Sequence, residues 1–393
     1  MKQPDPEFRL GSIAVPAFGP SLFDGIAQGA ILPVIAFSAR ELGASFAGAG
    51  LIVALIGVGS LLGNLPAAMI SSRFGERRAM MGAATACVAA LLVCILATGP
   101  WMLGLGVLLF GMTHAVFALA RQTFLIEAVP YHYRARALST LAGVTRIGMF
   151  IGPFAGAAAM YGFGLRSAYV VAILSMMAIG WMAYSLPDLP GSGASPASAT
   201  ERPSMAGLLR SHAAVFGTLG FGVLLISAVR ASRQVIIPLW ATHLGLPPVT
   251  ASIIYGLSAA IDMTAFYPAG KVMDARGRVW VALPACVLMG LALLAMTLTT
   301  GTASFIATAL ALGLGNGIGS GIVMTIGADS APPQARPAFL GLWRMLADVG
   351  ACSGPLLLSA LTAAVSLGAG IAATGLLALG AAGVFWRWLP RRG

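Results

Sequence analysis

Residues 268–278 read Pro-Ala-Gly-Lys-Val-Met-Asp-Ala-Arg-Gly-Arg, and a related stretch at 66–78, which begins 202 positions earlier, reads Pro-Ala-Ala-Met-Ile-Ser-Ser-Arg-Phe-Gly-Glu-Arg-Arg. The same offset relates further pairs of residues along the chain: Leu42-Gly43 and Leu244-Gly245, Glu127 and Asp329, Pro130 and Pro332, Arg134 and Arg336, Gly148 and Gly350, Gly152-Pro153 and Gly354-Pro355. A constant shift held over this length predicts two homologous halves.

The composition places both halves in a membrane. Of the 393 residues, 58% are hydrophobic and 9% are charged, which excludes an ordinary soluble domain of this size. Runs of about 20 apolar residues predict transmembrane helices. Twelve such spans are predicted, at 11–37, 44–70, 79–98, 101–127, 137–160, 167–187, 213–240, 248–273, 279–299, 303–328, 337–363 and 367–387. The predicted fold is an all-α membrane protein with two pseudo-symmetric six-helix bundles, and repeats of this kind are typical of membrane transporters.

The predicted domain boundaries follow from a Pro/Gly/Ser-rich stretch in the middle of the chain. Residues 1–186 form the first bundle, 187–212 a cytoplasmic linker and 213–393 the second bundle. The composition of the linker does not support a packed core. A short surface helix is expected within 203–212.

The distribution of Lys and Arg predicts the orientation in the membrane. The amino end and every second loop hold sixteen of these residues, whereas the alternate loops hold only Arg40 and Arg166. Positive loops stay in the cytoplasm, so both termini and the linker are predicted to be cytoplasmic, in a plasma membrane or bacterial inner membrane. This asymmetry accounts for the formal net charge of +11, and no nucleic-acid partner is expected.

The two loops quoted first resemble the cytoplasmic loop signature of the major facilitator superfamily. The second copy fits the signature, whereas in the first copy Ala68 and Ser72 replace the expected Gly and Asp. The resemblance implies a role in gating, in which the Asp lies beside the amino end of a neighbouring helix and Ser72 caps that end with less charge. The implied gating residues are Ser72, Arg73, Gly75, Arg77, Gly270, Asp274, Gly277 and Arg278.

Two further motifs resemble exporters of that superfamily. Gly148, Gly152-Pro153 and Gly156 are similar to the exporter pattern GxxxGPxxG, and glycines four residues apart line one helix face, which permits close helix contact. Asp24, nine residues before Pro33, is similar to the first-helix motif of drug:proton antiporters. The outer arginine of span four in those antiporters is missing. Generic membrane packing remains the alternative explanation of the glycines.

Eight ionisable residues fall within the predicted spans: Arg121, Arg146, Arg230, Arg233, Arg344, Asp24, Asp262 and Asp348. Each costs about 2.5–3.5 kcal/mol at mid-span, so these side chains should face the bundle interior, pair together or line water. Asp24 is the predicted proton carrier and Asp262 is its rival. For Arg121 a structural contact to Glu127 or to the following loop remains open.

The predicted substrate-binding residues are Arg146, Arg230, Arg344, Asp348, Trp343 and Phe117. Arg146 and Asp348 are related by the repeat and are predicted to point away from the glycine face towards a central cavity. Arg344 and Asp348 share a helix face and can pair. For the aromatic rings, core packing or lipid contact is the alternative. His114, which the repeat relates to Asn316, is predicted to make a polar contact between helices.

The sequence therefore predicts proton-coupled efflux of a small organic compound by a monomeric transporter that alternates access between the two sides. Its partners would be the substrate, protons and the bilayer. An organic-anion uniporter, exchanger or importer that uses the intramembrane arginines is the alternative, and a non-transporting membrane sensor is the alternative of another class. No cofactor or metal site is predicted, because no cluster has metal-ligand spacing, and no nucleophile–base pair predicts an enzyme.

Overall fold

The computed structural model describes residues 14–129, 133–185 and 205–390. Fifteen α-helices occur in these ranges, and no strand occurs there. In chain order they are α1 (Ala14–Glu41), α2 (Phe46–Phe74), α3 (Glu76–Ile95), α4 (Pro100–Ala128), α5 (Arg134–Phe163), α6 (Ser167–Tyr184), α7 (Met205–Ser211), α8 (Ala213–Val215), α9 (Phe221–His243), α10 (Pro248–Arg276), α11 (Val279–Met296), α12 (Thr302–Ile318), α13 (Ile322–Ser330), α14 (Arg336–Ala364) and α15 (Leu367–Trp388).

The prediction of twelve membrane spans is confirmed, since the described part of the chain contains twelve segments long and apolar enough to cross a bilayer. Two spans are not single regular helices. The seventh begins with α8 and a π-helical segment, Phe216–Gly220, before α9. The tenth is divided into α12 and α13 by a turn at 319–321, within a run of alternating glycines. Glycine weakens the helix locally, and this break between α12 and α13 could not be predicted from hydropathy.

The backbone repeats at the offset that the sequence predicted. Gly75 and Gly277 both have positive φ values, 79° and 97°, and each ends a long helix before the next begins. Gly43 and Gly245 also have positive φ values, 88° and 69°. Glycine reaches this left-handed region without the steric penalty of a side chain, which explains why these turn positions carry glycine in both halves.

The described chain forms two compact units. Unit 1 comprises Met1–Ile31 and Val58–Ser195, and unit 2 comprises Leu32–Gly57 and Pro196–Gly393. The hairpin Leu32–Gly57, formed by the end of α1 and the start of α2, thus packs with the second unit although the sequence repeat assigns it to residues 1–186. Within unit 2, Ser359 Oγ on α14 donates a hydrogen bond to the Ala47 carbonyl of this hairpin.

A glycine seam holds two helices together in each unit. In unit 1, a methyl group on Gly148 or Gly152 would collide with the α1 backbone at Leu22 or Ile26. The seam recurs in unit 2, where Gly350 and Gly354 approach the α9 backbone at the positions 202 residues further on, Leu224 and Ala228. The predicted glycine face is therefore a close helix contact, as small residues in membrane helices permit.

The predicted linker lies mostly outside the described residues, as do Lys2, Arg9, Pro130, Arg202, Arg391 and Arg392. Its last part is described, and α7 is the short helix expected within 203–212.

Candidate functional site

A buried polar cluster lies in unit 1, and its centre is Asp24 on α1. Arg121 of α4 donates from Nη1 to Asp24 Oδ2 over 3.0 Å. On the other side, His114 Nε2, also on α4, lies 3.0 Å from Asp24 Oδ1. Gln28, one turn after Asp24, places its Nε2 3.0 Å from the same imidazole nitrogen. The cluster thus joins one carboxylate, one guanidinium and one titratable ring across two helices.

The Asp24 carboxylate is paired, which is one of the arrangements that the sequence left open for the charges within the spans. Its side chain is only 1% exposed and lies beside Arg121. The guanidinium also lies over the Phe117 ring, at 5.2 Å from its centroid. Arg121 is paired with Asp24, a partner that is not among those the sequence left open for it. His114 makes the predicted polar contact between helices, with a side chain 19% exposed.

A second polar cluster lies in unit 2, and it contains two arginines of α9. Asp262 of α10 accepts hydrogen bonds at Oδ2 from Arg233 Nη2, at 3.3 Å, and from the Asn316 amide nitrogen on α12. Arg230 donates from Nε to the Asn316 amide oxygen over 2.9 Å. Arg233 also contacts Ser258 Oγ at 3.4 Å. Asn316 therefore links the carboxylate to the second guanidinium.

One hydrogen bond occurs at equivalent positions of the repeat in both clusters. Gln28 and Arg230 are 202 positions apart, as are His114 and Asn316, and each unit contains the corresponding hydrogen bond. The acids do not correspond: Asp24 is replaced by Ile226 in the second half, and Asp262 stands where the first half has Ser60. Each unit thus supplies its carboxylate from a different helix.

The remaining predicted charges lie on α5 and α14 and are more accessible. Arg146 and Asp348 are half-buried, and Arg344 is exposed. Although Arg344 and Asp348 are one turn apart on α14, no salt bridge joins them in the described structure. Their pairing stays a prediction. Arg146 on α5 and Asp348 on α14 are related by the repeat, and their role at a central cavity stays a prediction.

The two predicted aromatic contacts are part of the packing of their own units. Phe117 is fully buried, and Trp343 is 1% exposed. The Trp343 indole donates to the Val323 carbonyl over 2.8 Å, and its ring stacks on Phe339. Both rings are buried in this structure, and a contact of either ring with a substrate stays a prediction.

The loop residues behave differently in the two units. Ser72 does not cap α3, since its hydroxyl donates to the Met69 carbonyl of its own helix. The N-cap residue of α3 is Gly75, and no side chain caps this helix. Arg77 donates to the Tyr184 carbonyl at the end of α6. In the second loop, Asp274 is exposed and makes no cap at the start of α11, which has Arg278 as its N-cap.

The clearest contact of the second loop involves Arg278. Its guanidinium forms two hydrogen bonds with Asp329 at the end of α13, at 2.8 and 3.4 Å. Gly277 supplies the turn before it. Arg73 lies over the neighbouring Phe74 ring, and Gly270 has no atom within 4 Å of the place a methyl group would occupy. A gating role for these residues stays a prediction.

Across the ranges that the structure describes, no group of three or more His, Cys, Asp or Glu side chains could hold a metal ion. Sequence reasoning missed Gln28 and Ser258 as members of the clusters. For Gln28 a signal was available in the repeat. Gln28 corresponds to Arg230, and His114 corresponds to Asn316, so a polar pair in one half predicts a polar pair in the other. Ser258 is an ordinary polar residue in a membrane helix, and no pattern distinguishes it.

Comparison with known proteins gives a family match over most of the chain. The sequence model described as Major Facilitator Superfamily matches residues 21–355, and it matches again at 219–393. Among curated proteins, the "Inner membrane transport protein YnfM" of Escherichia coli (strain K12) is 27% identical over 157 residues. That match covers 40% of this chain and 38% of the relative, so it spans about two fifths of the relative's length.

Solved structures with a similar fold cover almost the whole chain. A bacterial homologue of the human lysosomal transporter Spinster, in an inward-facing and unoccupied conformation, has a TM-score of 0.80 at 14% identity and covers 96% of each chain. The nucleoside transporter NupG has a TM-score of 0.75 at 12% identity, over 95% of this chain and 98% of its own. A D-xylose–proton symporter has a TM-score of 0.72 at 16% identity, over 97% and 98%. At these identities the likeness concerns the fold.

Proposed function

The chain belongs to the Major Facilitator Superfamily, and from that premise we propose that it is a proton-coupled exporter of a small organic compound. Family and fold make it a multi-pass membrane transporter and not an enzyme. Export, proton coupling and alternating access are the proposed part. We further propose that it works as a monomer in a plasma or bacterial inner membrane, with both termini in the cytoplasm. Its two bundles would comprise residues 1–186 and 213–393, joined by the linker 187–212.

The observation that carries the proposal is the position of Asp24. Its carboxylate is buried in a membrane helix and lies between Arg121 and His114. A charge in this environment is expensive unless it is paired, and adding a proton removes the charge and releases the guanidinium. The protonation of one side chain therefore changes the electrostatics of the whole cluster. Such a group can couple proton movement to a conformational change.

His114 supports the proposal because it can bring the proton to Asp24. When Asp24 is ionised, His114 Nε2–H donates to the carboxylate. When Asp24 is protonated, the same nitrogen accepts, from the acid or from the Gln28 amide 3.0 Å away. The imidazole is partly exposed whereas the carboxylate is not. An imidazole can take up a proton at one nitrogen and give it up, which suits a relay between water and a buried acid.

Everted membrane vesicles test the proposal. A pH gradient is established and followed with a pH-sensitive dye while cationic, neutral and anionic compounds are added in turn. A transported compound should collapse part of the gradient in vesicles with the wild-type protein. Each proton that crosses contributes about 2.3 kcal/mol per 100 mV of potential.

Two variants make the vesicle result specific. Asp24→Asn should abolish the compound-dependent proton flux, because the amide no longer takes up a proton. Glu41→Gln, which removes an exposed acid at the end of α1, should retain it. Normal proton flux in Asp24→Asn would refute the assignment of Asp24. Compound movement that never depends on the pH gradient would refute proton coupling.

A further inference from the structure

We propose that Phe117 is a positioning residue of the proton site, and that its ring holds the Arg121 guanidinium in place when Asp24 takes up a proton. The proposal deepens the proton coupling proposed above and rests on it. The role differs from the predicted contact of Phe117 with a substrate, because the ring acts on a neighbouring side chain of the protein.

The first argument is the set of contacts that the guanidinium makes. Arg121 Nη1 donates to Asp24 Oδ2 over 3.0 Å, whereas Arg121 Nε makes no hydrogen bond in the part of the chain that the structure describes. The guanidinium carbon lies 5.2 Å from the centroid of the Phe117 ring. A cation over an aromatic face at this distance is attracted by the quadrupole of the ring. Of these two contacts, only the one with Asp24 depends on the proton.

The burial of the ring strengthens its attraction for the cation. Phe117 is fully buried, and the Arg121 side chain is 10% exposed. A cation–π contact is stronger in a site without water than at an exposed surface. While Asp24 is ionised, its negative charge compensates the guanidinium and the ring adds little. Once Asp24 is protonated, the ring faces an uncompensated cation and its contribution is largest.

The second argument is the order of side chains along α4. One face of this helix carries, at intervals of four, three and four residues, Phe110, His114, Phe117 and Arg121. The Phe110 ring stacks with the His114 imidazole, with 6.0 Å between the centroids and 24° between the planes. Each of the two groups that face Asp24 from α4 therefore contacts a phenyl ring one turn before it in the helix.

The third argument is the sequence repeat. The position equivalent to Arg121 in the second half is Val323. The position equivalent to Phe117 is Gly319, which lies in the turn between α12 and α13. The acid on α1 has no counterpart at its equivalent position either. The second half thus lacks the acid, the cation and the ring together, which associates the ring with the cation and not with the general packing of the fold.

A ring that retains the guanidinium makes Arg121 a fixed charge. After Asp24 is protonated, the guanidinium stays over the ring beside the acid and does not turn to another acceptor. Opposite charge close to a carboxyl group favours its ionised form. The cluster is thereby prepared to release the proton and to form the ion pair again, as a repeated transport cycle requires.

Thermal unfolding of the purified full-length protein in detergent tests the proposal without a transported compound. Phe117→Leu removes the ring and keeps an apolar side chain. It is compared in the wild-type protein and in Asp24→Asn, where position 24 has no charge, as in the proton-loaded state. The melting temperature should fall further in the Asp24→Asn background, by about 1–3 °C. Phe305→Leu, at a fully buried phenylalanine of α12, should cost the same in both backgrounds.

A second replacement decides if the leucine variant does not fold. Phenylalanine that is fluorinated on its ring, incorporated at position 117, keeps nearly the same shape and weakens the negative charge on the face of the ring. It should also lower the melting temperature more in Asp24→Asn than in the wild type. If Asp24→Asn does not fold, acidification of the wild-type background neutralises the same carboxylate.

The pH profile of transport is an independent readout that a space-filling residue would not change. In the vesicle assay, the pH of half-maximal compound-dependent proton flux should move by about half a unit or more towards lower pH in Phe117→Leu. The reason is that protonation of Asp24 then leaves the guanidinium without either contact. Phe305→Leu should leave the profile unchanged.

Equal losses of melting temperature in the two backgrounds, or a fluorinated ring that changes nothing, would show that Phe117 only fills space. An unchanged pH profile in Phe117→Leu would show that the ring does not act on the proton site. The unfolding comparison requires no transport, so its failure leaves the proton flux of Asp24 untouched. A wild-type protein without compound-dependent proton flux would refute the coupling proposed above and leave the unfolding result as it is.

Discussion

Removal of either partner of the buried pair Asp24–Arg121 should destabilise the protein strongly. The perturbations are Asp24→Asn, Arg121→Gln and the double variant. Asp24 Oδ2 and Arg121 Nη1 are 3.0 Å apart, and the side chains are 1% and 10% exposed. Breaking a buried pair leaves a charge without its partner and typically costs about 3–5 kcal/mol.

The double variant carries the argument, because it removes both charges. Two separate costs would add to about 6–10 kcal/mol, whereas a neutral pair should cost about as much as one single variant. The coupling energy of the cycle should therefore be about 3–5 kcal/mol. Equilibrium unfolding in mixed micelles, followed by circular dichroism, measures each variant.

A surface pair provides the matched control for this cycle. Arg278 and Asp329 lie 2.8 Å apart with side chains 29% and 50% exposed, so Arg278→Gln, Asp329→Asn and their double variant should show a coupling of about 0–1 kcal/mol. If the coupling energy of Asp24 and Arg121 is no larger than that of the surface pair, the two charges do not depend on each other and the reasoning is refuted.

Three further changes have expected outcomes that thermal unfolding in detergent can measure. Gly152→Ala should destabilise the protein by about 1–3 kcal/mol, because its methyl group would meet the α1 backbone. Gly143→Ala on the same helix, where nothing lies within 4 Å of the added methyl group, should be neutral or slightly stabilising. Equal effects of the two substitutions would contradict the glycine seam. Trp343→Phe should cost about 1 kcal/mol or more, since it removes the indole donor and leaves a space, and an unchanged midpoint would contradict its packed position. Ser359→Ala should cost about 0.5–1.5 kcal/mol through the lost bond to Ala47, and no loss would show that this bond does not hold the hairpin to α14.

The number and order of the spans could be predicted from the sequence because the apolar runs are long and every second loop between them is basic. The two-fold repeat could also be predicted from the sequence, and the glycines with positive φ occur at equivalent positions in both halves. The break between α12 and α13 was not predicted. Glycine counts as apolar in a hydropathy profile, so Gly319 and Gly321 extend the run that they interrupt.

The composition of the polar clusters could be predicted only in part. The sequence identified Asp24, Asp262 and Arg230 as costly charges, but it gave no partner for them. The positions along the predicted spans put Arg121 and Asp24 at different depths, and the long arginine side chain bridges that difference. Which groups meet depends on how the helices rotate about their axes, and a pattern of hydrophobicity leaves that rotation undetermined within a bundle.

The central claim is that Asp24 takes up and releases a proton within the membrane. Infrared difference spectroscopy of the reconstituted protein over a pH titration detects the carbonyl stretch of a protonated carboxyl group directly and requires no knowledge of the substrate. The account predicts a carboxyl band that appears on acidification, disappears in Asp24→Asn and remains in Asp262→Asn. A band that is unchanged in Asp24→Asn, or that is lost only in Asp262→Asn, would contradict it.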